Sequence, residues 1–153
     1  MRCLLAPILS GGAVVAMPYF DPDYFWSVVE MHRVTWYYAV PTIHASILAA
    51  FSKNPRHCAK SLSLIWNAGG PIPHSQAVAM RDAYSSTTKR TIIMPSYGMT
   101  ECMPIAAPPD TYNLEKPGSS GLALGPQLQV STLEENPVVS TAPPTALRSR
   151  CKV

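Results

Sequence analysis

Two short stretches of the sequence hold residue types that could handle a nucleotide. One is Asn67-Ala68-Gly69-Gly70-Pro71-Ile72, and the other is Pro95-Ser96-Tyr97-Gly98-Met99-Thr100-Glu101. Glycine lets backbone approach a flat base or a phosphate closely. Tyr97 offers a stacking face, and Thr100 a hydroxyl for a phosphate oxygen. Glu101 supplies a hard oxygen ligand for Mg²⁺, which normally takes one or two carboxylates together with substrate phosphates. Each feature also has a plainer reading. Gly69-Gly70 is a simple turn in that reading, Tyr97 a core aromatic, and Glu101 a carboxylate favoured by a helix N-terminus. Residue types and spacing alone leave both readings open.

Chemistry at these positions needs elements that bring the two stretches together. Leu62-Ser63-Leu64-Ile65-Trp66 reads as a strand running into the first stretch, and Thr91-Ile92-Ile93-Met94 as a short buried strand running into the second. Between them His74 to Tyr84 reads as a helix with Ala77, Met80 and Tyr84 inward. Earlier, Asp21 caps a helix with Pro22 at its first position, and Phe25, Val28, Val29 and His32 share one face. Val34 to Val40 is β-branched and aromatic, hence a strand. Pro41 starts a helix with Ile43, Ile47, Leu48 and Phe51 in one stripe. Strands alternating with helices imply an α/β fold, a mainly parallel sheet built by βαβ crossovers. Ligands of such sheets bind beyond the carboxyl ends of the strands, where both stretches fall.

The remaining sequence sets limits. A chain of 153 residues with 47% hydrophobic and 14% charged residues can bury one modest core. The net charge of +3 is small and scattered, which argues against nucleic acid or acidic lipid as a partner. Cys3, Cys58, Cys102 and Cys151 form no Cys-x-x-Cys pair, and His32, His44, His57 and His74 do not join them at zinc spacing. Reduced thiols and a cytoplasmic setting are expected. Cys3 to Phe20 is uncharged and superficially fits a signal peptide or a membrane span. Pro7 and the Gly11-Gly12 pair interrupt it, so a buried helix, a glycine turn and a strand Ala13-Val14-Val15-Ala16 are expected instead. Gly118, Gly121 and Gly125 mark turns, and Leu128 to Leu133 a further strand. From Glu134 to Val153 the rhythm is lost among Pro137, Pro143 and Pro144, and that tail is expected to be disordered.

Tyr97-Gly98-Met99-Thr100-Glu101 resembles the Tyr-Gly-x-Thr-Glu motif of the adenylate-forming superfamily, whose members include acyl-CoA synthetases, coumarate-CoA ligases and luciferases. Flanking segments are similar to that family in the same order: Gly11-Gly12-Ala13-Val14-Val15, Phe20-Asp21-Pro22, Val34-Thr35 with Val40-Pro41-Thr42, Asn67 to Ile72, and Lys116-Pro117-Gly118-Ser119-Ser120-Gly121. The resemblance implies that residues 1–133 are part of the large N-terminal domain. It implies ATP and Mg²⁺ as cofactors, with Gly69, Gly70, Pro71, Ser96, Gly98 and Met99 bordering the nucleotide. By the same resemblance Tyr97 lies against adenine, Thr100 on the α-phosphate and Glu101 on the metal. The acid pocket is bordered by His44, Asn67, Ala68, Met103, Pro104 and Ile105. The implied reaction joins a carboxylic acid to the α-phosphate of ATP, releasing pyrophosphate, and then moves the acyl group to a thiol such as coenzyme A.

The sequence also departs from the family. Its glycine-rich phosphate loop with a lysine, its Thr-Gly-Asp aspartate for the ribose and its C-terminal domain with a catalytic lysine have no counterpart here. The resemblance fades after Glu134-Glu135-Asn136-Pro137-Val138. An isolated chain of this kind is expected to be inactive as a ligase. A non-catalytic product or a nucleotide-binding or interaction module is the alternative.

Overall fold

The computed structural model describes residues 2–54, 56–86 and 91–124. The strand expected at Leu128 to Leu133, the tail from Glu134 and Gly125 lie outside the described residues. In chain order the elements are α1 (Arg2–Leu9), α2 (Pro22–His32), β1 (Trp36–Ala39), α3 (Pro41–Lys53), β2 (Leu64–Asn67), α4 (His74–Ser85) and β3 (Ile92–Pro95). They are followed by β4 (Tyr97–Met99), β5 (Cys102–Ala107) and β6 (Leu122–Ala123).

The first three strands form a parallel sheet in the order β1-β2-β3, crossed over by α3 and α4 as the alternating pattern implies. Both crossovers step in the same direction, so right-handed connections put α3 and α4 on one face, where they pack together. Tyr37, Ile65 and Ile93 point toward that face because side chains alternate along a strand and register partners share a face. The core there is Trp26, Val29, Ile47, Leu62, Ile65, Ala77, Met80, Tyr84 and Ile93. Trp26 is its largest member: its indole Nε1 donates to Ile47 O at 3.0 Å, and the Phe25, Phe51 and Tyr84 rings pack around it. The sequence reading had not placed Trp26 inward, and it had placed His32 there, which is exposed.

Local signals explain the element ends. Asp21 accepts from Tyr24 N at 2.7 Å, with Pro22 opening α2, a cap worth about 1 kcal/mol. Arg33 ends α2 in the left-handed region at φ 51°. The N-terminal expectation is corrected in part. A helix and a turn form, with Gly11 at φ 82° and Gly12 N donating to Pro7 O at 2.7 Å. However, Leu4, Leu5, Ile8 and Leu9 on α1 are exposed rather than buried. Residues 13–16 make no strand: Val14 and Val15 remain 37% and 41% exposed. A strand there would need a paired backbone to offset its ordering entropy, and among the described residues neither sheet pairs with it. No helix among the described residues is long and apolar enough to cross a membrane.

A second, antiparallel sheet, β4-β5-β6, was not foreseen. Its first hairpin is the Tyr97 to Glu101 segment itself, turning at Thr100-Glu101. Gly121 admits β6 to this sheet, because a Cβ there would sit 2.1 Å from Ala107 C, and its φ is +91°.

Candidate functional site

Register places the carboxyl ends of the parallel strands side by side, with Ala39 opposite Asn67 and Asn67 opposite Pro95. The two loops singled out in the sequence therefore leave the sheet from adjacent strands at one end. Asn67 ties them together. Its Nδ2 donates to Gly70 O at 2.9 Å, closing the glycine loop. Its carbonyl accepts from Ser96 N at 3.0 Å and from Ser96 Oγ at 2.9 Å, anchoring the start of the second loop. Ser96 is thus the joint between the two sheets.

The glycine loop lies against the start of α3. Gly69 has φ +77°, and a Cβ there would meet Val40 Cγ1 at 2.8 Å, so both backbone and packing require glycine. Gly70 lies beside Pro41, and Gln76 Nε2 donates to Pro41 O at 2.7 Å, binding α4 to the same corner. The sequence reading had missed Gln76, whose place on the polar side of an amphipathic helix gives no such signal.

In the second loop the plainer readings fail. Tyr97 is 50% exposed, not a core aromatic, and its ring is available for stacking. Glu101 lies in a hairpin turn, not at a helix N-terminus. Thr100 and Glu101 are both exposed, and Glu101 makes no hydrogen bond or ion pair among the described residues. No cluster of three or more His, Cys, Asp or Glu side chains that could hold a metal occurs among the described residues. A lone carboxylate suits Mg²⁺ that arrives with phosphate ligands, and would hold a bare metal poorly.

The expected acid-pocket residues separate into groups. His44 and Asn67 are 0% and 1% exposed and lie on the helix-covered face of the sheet. Ala68 is buried too, while Pro71, expected at the nucleotide, is exposed. Pro104 and Ile105 belong to β5, with Ile105 buried; Met103 is on the same strand, but its side chain is not among those described. His44 Nδ1 stands 3.2 Å from Tyr37 Oη, a neighbour the sequence reading had not considered. Burial lowers the His44 pKa to about 4, against a weaker opposing effect of the Ala39 backbone. Burial also raises the Tyr37 phenol well above its ordinary range, with Tyr84 adding to the shift. A cleft of about 510 Å³ runs along β1 between Val14, Phe20, Val28 and Tyr38, and no residue of the Asn67–Ile72 or Pro95–Glu101 stretches lines it.

A parallel α/β sheet with glycine and Tyr-Gly-Met-Thr-Glu loops at its carboxyl end defines a partial N-terminal domain of the adenylate-forming type. The family model of AMP-binding enzymes matches residues 1–142, and the chain belongs to that family. Malonate–CoA ligase, mitochondrial, from Homo sapiens is 27% identical over 150 residues, covering 90% of this chain and 25% of that protein. Feruloyl-CoA synthase from Amycolatopsis is 33% identical over 126 residues, covering 80% of this chain and 23% of that protein. The solved O-succinylbenzoate coenzyme A synthetase from Bacillus subtilis, in complex with ATP and magnesium ion, superposes with a TM-score of 0.65. It is 28% identical, over 80% of this chain and 24% of that one. The chain therefore spans about a quarter of the length of the relatives it matches.

Proposed function

We propose that this chain supplies part of the ATP·Mg²⁺ and acid site of an acid–thiol ligase and does not itself complete the reaction. The observation that carries the reading is the juxtaposition made by Asn67, which fastens the Gly69-Gly70 loop and the Ser96 to Glu101 hairpin to one end of the sheet. In this proposal Tyr97 stacks on adenine beside Gly69, Gly70 and Pro71. Gly98 and Met99 carry the backbone past the nucleotide, Thr100 donates to the α-phosphate and Glu101 holds Mg²⁺. The metal would supply charge neutralisation at the phosphates, and the residues of this chain would orient them. His44, Asn67, Ala68, Met103, Pro104 and Ile105 border the acid. The thiol acceptor is coenzyme A, as in the names of the matched relatives. The unpaired thiols of Cys58 and Cys102 support a reducing, cytoplasmic setting.

Titration of the 153-residue chain with ATP, with and without Mg²⁺, tests this. Binding at millimolar strength is expected, tighter with Mg²⁺, and Glu101→Gln abolishes the Mg²⁺ enhancement while Tyr97→Ala weakens binding under both conditions. No nucleotide binding, or an unchanged Mg²⁺ effect in Glu101→Gln, would sink the assignment. No thioester should form with any acid, ATP and coenzyme A; turnover by the chain alone would contradict the second half of the proposal.

A further inference from the structure

A single residue separates the two sheets. β3 ends at Pro95 and β4 begins at Tyr97, so Ser96 belongs to neither strand. The direction in which the hairpin leaves the parallel sheet is set by the few soft dihedrals of this joint, since peptide bonds are planar and the Pro95 ring locks its own φ. One oxygen holds Ser96 there twice: Asn67 O accepts from Ser96 N at 3.0 Å and from Ser96 Oγ at 2.9 Å. The first bond continues the β2–β3 ladder one step beyond the Asn67–Pro95 pair. The second belongs to the side chain alone. It fixes the Ser96 rotamer and ties the joint to β2, the strand paired on both sides.

Beyond the joint the chain is held more loosely. Tyr97 pairs with Ala106, but the β4–β5 register shifts before Met99 meets Cys102. The Tyr97 ring is 50% exposed and makes no hydrogen bond or ring contact among the described residues. The glycine loop, in contrast, is fastened on two sides. Asn67 Nδ2 closes it on Gly70 O, and Gly69 packs against Val40. A ring that is to face this loop therefore takes its direction from Ser96.

We propose that Ser96 is a positioning residue for the base: its hydroxyl, bonded to the Asn67 carbonyl, aims the Tyr97 ring so that adenine stacks beside the Gly69-Gly70 loop. Ser96 acts in this role through Tyr97 and not on the nucleotide itself. Alanine at this position would keep the ladder bond and free the joint. Threonine carries the same hydroxyl on Cβ and suits a strand end. The inference rests on the nucleotide-site reading above.

The test uses the 153-residue chain, with ATP·Mg²⁺ binding read by saturation transfer to the adenine H8 and ribose H1′ protons, a measurement that tolerates self-association. Tyr97→Ala should weaken binding about tenfold, the loss of one stacking platform. Ser96→Ala should weaken it about fivefold, the order of one hydrogen bond, and lower the adenine signal relative to the ribose signal. Ser96→Thr should stay within about twofold of the parent, because it keeps that bond. In a Tyr97→Ala background Ser96→Ala should weaken binding no further, since no ring remains to be aimed. Additive losses in the double variant overturn the inference. So does unchanged binding in Ser96→Ala, or equal weakening by alanine and threonine. A Ser96→Ala chain that loses the parent's far-UV circular dichroism also overturns it, because the bond then serves the fold. In each of these cases a weakening by Tyr97→Ala leaves the nucleotide-site reading standing. If Tyr97→Ala changes nothing, or no nucleotide binds, that reading fails and takes this one with it.

Discussion

At pH 7 the His44 imidazole is neutral, since burial has brought its pKa from 6.5 to about 4. In the unfolded chain the ring returns to its ordinary value, so below pH 6.5 the unfolded state binds more protons than the folded one. Stability is therefore whole above pH 6.5 and is lost as the pH falls toward 4, where the folded protein must itself accept the charge. The full span corresponds to about 3 kcal/mol. Urea unfolding of dilute protein at pH 7.5 and pH 4.5 should show this loss, and His44→Gln, which does not titrate, should flatten its share of the slope. An unchanged slope in that variant would mean that the ring is solvated. His44 and Asn67 were readable in the sequence as candidates, but their partners were not. Whether a buried polar atom is satisfied depends on groups that the fold brings to it, here the Tyr37 hydroxyl at His44 and the Gly70 carbonyl at Asn67.

Most elements were legible because their signals are local. Asp21-Pro22 marks the start of α2, Pro41 that of α3, and the Ala77, Met80, Tyr84 stripe gives α4 its inward face. The β4–β5 hairpin was hidden because Gly98 and Pro104 both weaken a strand pattern. Pro104 is tolerated where the β4–β5 register is interrupted, between the Tyr97–Ala106 and Met99–Cys102 pairs. The glycine loop carries its own test. Gly69→Ala places a Cβ 2.8 Å from Val40 Cγ1 at a φ of +77°. The left-handed conformation alone costs about 1–2 kcal/mol, and the clash adds to it. Gly69→Ala should therefore lower the unfolding free energy by roughly 2–3 kcal/mol. Adding Val40→Ala removes the clash and not the backbone term, so the double variant should recover only part of the loss in a double-mutant cycle. Full recovery would show that the positive φ costs nothing here.

At the scale of the molecule, sheet and site are laid out as the βαβ pattern implies, yet much apolar surface stays uncovered. Leu9 is 84% exposed, Met31 75% and Tyr19 64%, with Leu4, Leu5 and Ile8 half-exposed on α1. Among the described residues, β1 and β3 are each paired on one side only. Parallel sheets are rarely left open in this way, because an unpaired edge and a bare apolar face both recruit partners. The chain also spans about a quarter of the length of its matched relatives. Self-association of the isolated chain is the expected consequence. Sedimentation velocity at micromolar concentration should show a weight-average mass that rises with loading. Replacing Leu4 and Leu9 together by Glu should lower it, since charge on α1 makes burial of that face costly. The nucleotide loops leave the carboxyl ends of β2 and β3, which α1 does not flank in the chain, so ATP·Mg²⁺ binding by the Leu4→Glu, Leu9→Glu variant should match that of the parent chain. A concentration-independent monomer in the parent chain would show that these apolar surfaces are too small or too scattered to recruit a partner.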